Sequence, residues 1–593
     1  MRAERRQDLG ILLVFGLLYA AFVAVSWAKW PLLTADSARE LYVPFQIRHG
    51  QLIYRDFYYL YGPFAPYFSA TLLATFGDRL AVLYGASVAE TAAILGVLYA
   101  LARQYLRPLP SAAVLFVFLT HFALGQDIWG YLWPYSFAAT DSVLFGLVLL
   151  LSLVRYMTTG RLPWLASAGV AIALSVATKI EYGFAAVALG GIFLLGRGLL
   201  NRALATKRPY WQEALALLVP CLAVVAVAAG LLFSHVTLAT VLESTWPTQL
   251  MRMWNSTGMW HGTPSTWLWN LRWFALDGLA IAAALLLPWV ASRRLPVAIA
   301  GLAAYVGGGL ALAHVERFYV AQAPTYWMSP TFLLLFGVLG WVLTRLARAL
   351  RAGEALPDEA VAWGLLAAYG CLIAARTLMT GYNDYTRYQA PVALIAWVAL
   401  ACRWAPAWLA SRGALPRPRL SQALLALLVL TLGLRNAVGQ VRAYLAPHVA
   451  VSGPVGTVLA TPDYADPYKQ ALAYVAAHAG PDDAVVAAPM EASFYLFSGH
   501  DNVLREDQLF YGYLVDAEAQ RGAIARMRKR HVRYIVLSSY GFGQKRFGKD
   551  YMVDLAAWIR SDCRLVGDYG NPQYRLRIYE TPFVASAKRV PAE

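Results

Sequence analysis

Charge is scarce in this chain, and cysteine is scarcer. Only 14% of its 593 residues are Asp, Glu, Lys or Arg, against about a quarter in an ordinary soluble protein. The four cysteines, Cys221, Cys371, Cys402 and Cys563, are scattered, three of them in or beside apolar runs. That spacing excludes a cysteine-based metal site and a disulfide framework. No clustered basic face lies on a polar segment, which excludes a groove for nucleic acid. No glycine-rich fingerprint follows the first strand-like run near the C-terminus, so that region is not a nucleotide-binding fold.

What the chain has instead is apolar length. Hydrophobic residues make up 59% of it, gathered in blocks of about 16 to 24, enough to cross a bilayer core as helices. The blocks fall near 9–28, 80–104, 109–124, 137–156, 163–178, 182–200, 212–234, 273–291, 296–313, 327–347, 360–378, 388–404 and 420–437. They predict a polytopic α-helical membrane protein with about thirteen transmembrane helices. The pair on either side of Lys179 is short enough to be one broken hairpin. The opening "MRAERRQDLGILLVFGLLYAAFVAVSW" has a basic end and an apolar run but no small-residue cleavage site, and reads as an uncleaved first helix.

The net charge of +16 belongs to the membrane part. Residues 1–439 hold 32 Lys+Arg against 18 Asp+Glu, and residues 440–593 hold 18 against 16. With the N-terminus in the cytoplasm, the arginine-rich connections (Arg103/Arg107, Arg155/Arg161, Arg293/Arg294, Arg345/Arg348/Arg351) all face inward. Asp36, Glu40, Asp56, Asp127, Glu181, Glu243, Glu316 and Asp384 then lie in the opposite loops. An odd number of spans puts the C-terminal region outside. From about residue 440 the pattern changes to short strands ("DAVVAAP", "RYIVLSS"), helices at 467–479 and 515–530, and a terminal hairpin in "RLVGDYGNPQYRLRIYE". The expected organisation is a transmembrane catalytic domain over 1–439 and a small extracytoplasmic α/β domain over 440–593.

Ionisable groups at a membrane edge are costly unless they serve a site. Asp36, a few residues beyond the first span, is the foremost candidate, and Asp56 lies in the same loop. The stretch after Asp56, "YGPFAPYF", reads as an aromatic segment at the interface. Lys179 is either an anion ligand or the partner of Glu181, and Arg387 either an anion ligand or the partner of Asp384. Arg317 and His314 are open to a peripheral reading. "ESTWPTQLMRMWNSTGMWHG", which contains Trp246, is either a cleft lining or an interfacial belt, and Asn255 opens a glycosylation sequon there.

The succession of a first span, "ADSARELYVPFQIRHGQLIYRDFYYLYGPFAPYF" and a long second helix resembles the membrane-embedded GT-C glycosyltransferases. Its nearest likeness is to the protein-mannosyltransferase-like and aminoarabinose-transferase-like enzymes. The resemblance rests on Asp36, then Gly50, Tyr54 and Asp56, then Pro63 and Pro66. Asp141 in "AATDSVLFG", Thr178, Lys179 and Gly183 in "ATKIEYG", and Arg387, Tyr388 and Pro391 in "TRYQAP" extend it over roughly residues 1–400. Asp-Ser stands where many protein mannosyltransferases have Asp-Glu, which weakens the case for a protein acceptor.

The resemblance implies transfer of a sugar from a polyprenyl-phosphate-linked donor to a cell-envelope glycan, lipid or protein at the outer face of the inner membrane. It implies Asp36, Asp56 and Asp141 as catalytic candidates and Lys179, Arg387 and Arg317 as donor-phosphate ligands. Tyr54, Tyr61, Glu181, Trp246 and Tyr388 would line an acceptor or sugar cleft. A divalent ion, magnesium or manganese, is left open, with Asp36 and Asp141 as its ligands. The chemistry of such a transfer needs a base for the acceptor and cations for the leaving phosphate, both of which these residues offer. Two other readings stand beside it, a multi-span transporter or flippase and an O-antigen-type polymerase or ligase. No internal repeat supports the first, and no large loop between late spans supports the second.

Overall fold

The computed structural model describes residues 2–125, 129–199, 208–245, 332–380, 387–413, 418–541 and 546–583, with isolated positions between 271 and 296. Helices come first. In chain order they are α1 (Arg2–Ser26), α2 (Ala35–Arg48), α3 (Phe64–Phe76), α4 (Leu80–Tyr105), α5 (Pro108–Ala123), α6 (Phe137–Thr159), α7 (Leu162–Thr178), α8 (Ile180–Leu199), α9 (Tyr210–Phe233) and α10 (Leu238–Ser244). Then follow α11 (Phe332–Ala352), α12 (Asp358–Thr380), α13 (Ala390–Ser411) and α14 (Pro418–Leu445). Among the described residues, eight of these helices are long and apolar enough to cross a membrane, and α3, α5 and α7 are shorter apolar helices. The expected spans at 273–291 and 296–313 lie outside the described residues, apart from isolated positions.

Local chemistry sets the helix ends. Ser136 caps α6 by accepting from the Ala138 amide (3.2 Å), and Gly160, at φ 67°, closes it in the left-handed conformation. Proline in the first turn starts α5 and α7, where a missing amide hydrogen costs nothing. The bundle is close-packed through small residues. A side chain at Gly169 would overlap the Leu217 carbonyl, so α7 and α9 approach to backbone contact there. Near the far end, Arg197 donates to Glu213 (2.9 Å from Nε to Oε2), tying α8 to α9, both side chains being almost wholly buried.

One part of the first connection differs from the sequence reading. Residues 35–48 form a buried helix rather than a loop, and "FAPYFSATLLATF" forms the short apolar helix α3. Pro63 and Pro66 do not prevent α3, because they fall before and within its first turn, where no intrahelical amide is needed.

After Leu445 the elements shorten. β1 (Val449–Gly453) and β2 (Gly456–Ala460) make an antiparallel pair. There follow α15 (Pro462–His478), β3 (Ala484–Ala488), α16 (Ser493–Ser498), α17 (Ala517–Lys529), β4 (Val532–Ser538), α18 (Val553–Asp562), β5 (Arg564–Gly570) and β6 (Arg575–Glu580). The four-stranded sheet runs β3-β4-β6-β5, parallel between β3 and β4 and antiparallel elsewhere. Val485, Ala487 and Val536 enter one apolar cluster while Val486, Ala488 and Ile535 enter another. A strand buried on both faces reads as an unbroken apolar run, as "AVVAA" does.

This α/β region is bound to the first connection by a polar seam. Gln46 donates to Asp507 (3.0 Å), the Asn502 amide to the Tyr42 hydroxyl (3.1 Å), and the Tyr58 amide to the Arg505 carbonyl (2.8 Å). Burial raises the Asp507 carboxyl to about 7, against the pull of Asn502, Gln46 and Arg39, and raises Glu491 to about 7 as well. A carboxyl raised in the fold favours folding below its unfolded pKa, and that contribution is lost as pH rises through the folded value. The contribution of these two carboxyls to the melting temperature of the docked region should therefore be full below about pH 4 and be lost as pH rises from about 4 to about 7. Asp507→Asn keeps the acceptor for Gln46 and should flatten that decline, read as Tm against pH in detergent.

Candidate active site

Three short pieces of chain meet at one end of the bundle. The first is the start of α2, where Asp36, Arg39 and Glu40 share one helical face, as spacing of three and four requires. Arg39 lies 3.7 Å from Asp36 and 3.5 Å from Glu40. Its guanidinium stands over the rings of Tyr59 (5.8 Å) and Tyr61 (5.3 Å). Arg39 and Glu40 keep 6% and 5% of their side chains exposed, whereas Asp36 keeps 13%. Of the three, Asp36 is the most exposed.

The second piece is the junction of α7 and α8. Thr178 ends one helix and Ile180 begins the next, leaving Lys179 alone in extended conformation (φ −143°, ψ 126°). The turn is tight because Gly183 lets the two helices touch, where a Cβ would sit 2.8 Å from Val176 Cα. Lys179 points inward, 97% buried. It donates to the Tyr135 hydroxyl, pairs with Glu181 at 3.4 Å, and stands over the Tyr61 ring (4.8 Å) and the Tyr135 ring (4.5 Å).

The third piece is the start of α6 and the segment before it. Glu40 accepts from the Phe137 amide (3.0 Å), a carboxylate placed on a helix N-terminus. Asp141, one turn in, is buried and close enough to Glu40 for the two charges to act on one another. Tyr135 packs on Tyr388 (5.4 Å between rings) and Tyr131 on Tyr388 (5.2 Å). Tyr131 donates to the Arg387 carbonyl (3.1 Å), so the Arg387–Tyr388 segment joins the cluster.

Gly62 holds these pieces in register. Its amide donates to the Thr178 carbonyl (2.6 Å), and a Cβ there would overlap the Ala177 carbonyl. This is why "YGP" carries glycine and how Tyr61 reaches Lys179. Tyr54 completes the loop by donating to the Tyr61 carbonyl (2.6 Å).

The structure thus brings together Asp36, Asp141, Lys179, Glu181, Tyr54, Tyr61, Arg387 and Tyr388. It does not bring Asp56 with them. That carboxylate pairs with the exposed Arg55 (2.7 Å) and accepts from the Leu52 amide (2.8 Å), closing a local turn, and the Arg55 hydrogen bond holds its pKa below the usual value. Arg317, His314, Trp246, Asn255, Asp127 and Asp384 lie outside the described residues. Arg39, Glu40, Tyr59 and Tyr135 were not singled out from sequence. The spacing of Asp36, Arg39 and Glu40 signals a shared helical face, whereas nothing local to Tyr135 marks it.

Burial raises the Asp36 carboxyl pKa, and the positive charges of Arg39 and then Lys179 work against that rise. Glu40 is raised to about 7, chiefly by burial. A divalent ion on Asp36 would stand beside two cations, and among the described residues no group of three or more His, Cys, Asp or Glu is arranged around one point. Among the described residues the donor set around Asp36 does not fit a metal, and no chemical step is assigned to one.

The chain is similar to ArnT from Cupriavidus metallidurans bound to undecaprenyl phosphate, at TM-score 0.53 and 13% identity, over 97% of this chain and 98% of that one. The same enzyme in the apo state matches at TM-score 0.51 and 13% identity, over 96% and 98%. The archaeal oligosaccharyltransferase AglB from Archaeoglobus fulgidus, in complex with an inhibitory peptide and a dolichol-phosphate, matches at TM-score 0.48 and 13% identity, over 90% of this chain and 69% of that one. No family model and no curated protein matches the chain by sequence. At such identity the likeness defines the fold, a polytopic helical membrane protein with an attached α/β region.

Gly62→Ala should displace Tyr61 from Lys179, since backbone atoms cannot yield as a side chain can. A destabilisation of about 1–3 kcal/mol is expected, measured as a lower Tm than that of the unsubstituted chain.

Proposed function

We propose that this protein transfers a sugar from a polyprenyl-phosphate-linked donor to an acceptor at the outer face of the inner membrane. The observation that carries the reading is the meeting of a partly exposed carboxylate, Asp36, with buried cations at the edge of a helical bundle. The similarity to ArnT, whose crystal structure holds undecaprenyl phosphate, supports a lipid phosphate as the leaving group.

In this reading Asp36 takes the proton of an acceptor hydroxyl or amine as the acceptor oxygen or nitrogen bonds to the anomeric carbon. The bond from that carbon to the phosphate oxygen breaks, and its electron pair leaves with the lipid phosphate. A carboxyl whose pKa is raised by burial is the stronger base. Negative charge grows on the phosphate as the bond breaks, and cations already fixed in place stabilise it without reorganisation. Lys179 and Arg387 fill that role among the described residues, with Arg317 a further candidate from sequence. Tyr54, Tyr61, Glu181 and Tyr388 would line the sugar or acceptor cleft, with Trp246 a further candidate. Asp141 would orient the acceptor from the start of α6, and Asp56 would keep the loop closed around Tyr54.

Asp36→Asn keeps the size of the side chain and removes its basicity. With a polyprenyl-phosphate sugar and envelope glycan, lipid and peptide acceptors, it should lose turnover by about a hundredfold or more while still binding donor. Lys179→Gln should raise the donor KM about ten- to a hundredfold, as loss of a charge-assisted contact implies. Full turnover in Asp36→Asn would refute the assignment of the base, and unchanged donor KM in Lys179→Gln that of the phosphate ligand.

The proposed organisation is a transmembrane catalytic domain over 1–439, with a cytoplasmic N-terminus, and an extracytoplasmic α/β domain over 440–593. The arginine-rich connections at the opposite end of the bundle support that orientation. A cysteine introduced at the exposed Ser561 should react with an impermeant maleimide in intact spheroplasts. Reaction only after lysis would reverse the topology.

A further inference from the structure

The residue before Asp36 has an unusual backbone. Ala35 sits at φ 59°, in the left-handed region that an L-residue other than glycine enters only at a cost. Thr34, at the helix cap, makes no side-chain capping bond, and of the two local bonds across this point, the Leu32 amide to the Ser37 hydroxyl (2.8 Å) and the Ala38 amide to the Thr34 carbonyl (3.3 Å), neither engages the Ala35 amide.

The hold comes from a segment more than 450 positions away. The Ala35 amide donates to the Met490 carbonyl (2.9 Å), and Gln508 Nε2 donates to the Ala35 carbonyl (2.6 Å). The Ser493 hydroxyl donates to the Leu33 carbonyl (2.6 Å). Both polar groups of the strained residue are therefore engaged by residues 490–508, and none of that segment's groups is needed for the chemistry assigned to Asp36. The segment is itself fixed, since the Met490 amide donates to Glu491 (2.8 Å) and the Leu509 amide to the Pro489 carbonyl (2.7 Å). Gln508 and Ala35 are both buried.

We propose that Gln508 is a positioning residue: with the Met490 carbonyl it holds the Ala35 peptide left-handed, so that α2 begins with Asp36 beside Arg39 and Lys179. The inference rests on the reading of Asp36 as the acceptor base, and it assigns the C-terminal region a part in turnover. Gln508 touches no reactant. Its loss leaves Lys179 and Arg387 where they are, so it acts on kcat and not on donor binding.

The test uses the full-length chain in detergent and reads two quantities, donor kinetics and hydrogen–deuterium exchange of peptides covering residues 33–48. Gln508→Ala should lower kcat about tenfold, the factor that corresponds to about 1.4 kcal/mol, leave donor KM within about twofold, and speed exchange in 33–48. Adding Ala35→Gly, which adopts the left-handed conformation without strain, should restore both quantities. A merely structural role for Gln508 would not be rescued at a position whose only change is backbone preference. Ala35→Val keeps Gln508 but penalises the conformation, and should reproduce the loss of kcat even where Gln508→Ala cannot be purified. Unchanged kcat in Gln508→Ala or in Ala35→Val, or a double variant no better than Gln508→Ala, overturns the proposal. Absence of any transfer by the unsubstituted chain would instead refute the glycosyl-transfer reading, and the exchange arm alone would then decide whether Gln508 holds the start of α2.

Discussion

The site depends on burying Asp36, Arg39 and Glu40 in mutual contact. A charge taken from water costs several kcal/mol unless another charge and directed hydrogen bonds replace the water. Arg39 supplies the opposite charge for both acids, at 3.7 and 3.5 Å, and stands over the rings of Tyr59 and Tyr61. Glu40 is further satisfied by the Phe137 amide at the start of α6. Removing Arg39 would leave the two carboxylates with only the Phe137 amide and the more distant Lys179 charge to offset them. The approach of α2 to α6, and the seating of Tyr61 on Lys179, both follow from completing this cluster.

The cluster in turn needs walls, and these come from parts of the chain that are distant in sequence. Lys179 is presented by a one-residue break between two helices, in extended conformation although its amide still donates to the Ser175 carbonyl (3.3 Å) and its carbonyl accepts from the Gly183 amide (2.8 Å). The α/β region closes the other side. Arg505 donates to the Tyr54 carbonyl (2.8 Å) and stands 4.3 Å over the Tyr58 ring, while Tyr58 stacks on Tyr513. A rigid cover of this kind fixes polar side chains better than a loop could on its own.

The apolar helices were legible because bilayer-length runs leave little choice of structure. Asp36, Lys179, Tyr61 and Tyr388 were legible for the converse reason, as polar or aromatic groups where apolar blocks end. The short α/β elements after residue 445 followed from alternation and turn residues, and "AVVAA" and "RYIVLSS" became β3 and β4. Asp56 looked equivalent to Asp36 because both are acids in one connection. Their difference lies in an adjacent arginine and a local turn, which spacing alone does not resolve. The helical character of α2 was hidden by Pro44 and a dense polar composition, and it is supplied by burial beneath the α/β region. Tyr135 and Gln508 carried no signal at all, since their roles arise from contacts across 44 and 473 positions.

That last separation has a consequence for how the protein comes into being. Ala35 leaves the ribosome 473 residues ahead of Gln508. At ~5–20 residues per second the wait is roughly 25–95 s, during which the first connection has been delivered to the membrane surface without its fastening. A chain stalled or cut between residues 388 and 489 would contain Asp36, Lys179 and Arg387 and still lack the bonds that set the first of them in place. Competence would thus arrive with the last quarter of synthesis, and incomplete products would hold the reactive groups without the means to use them.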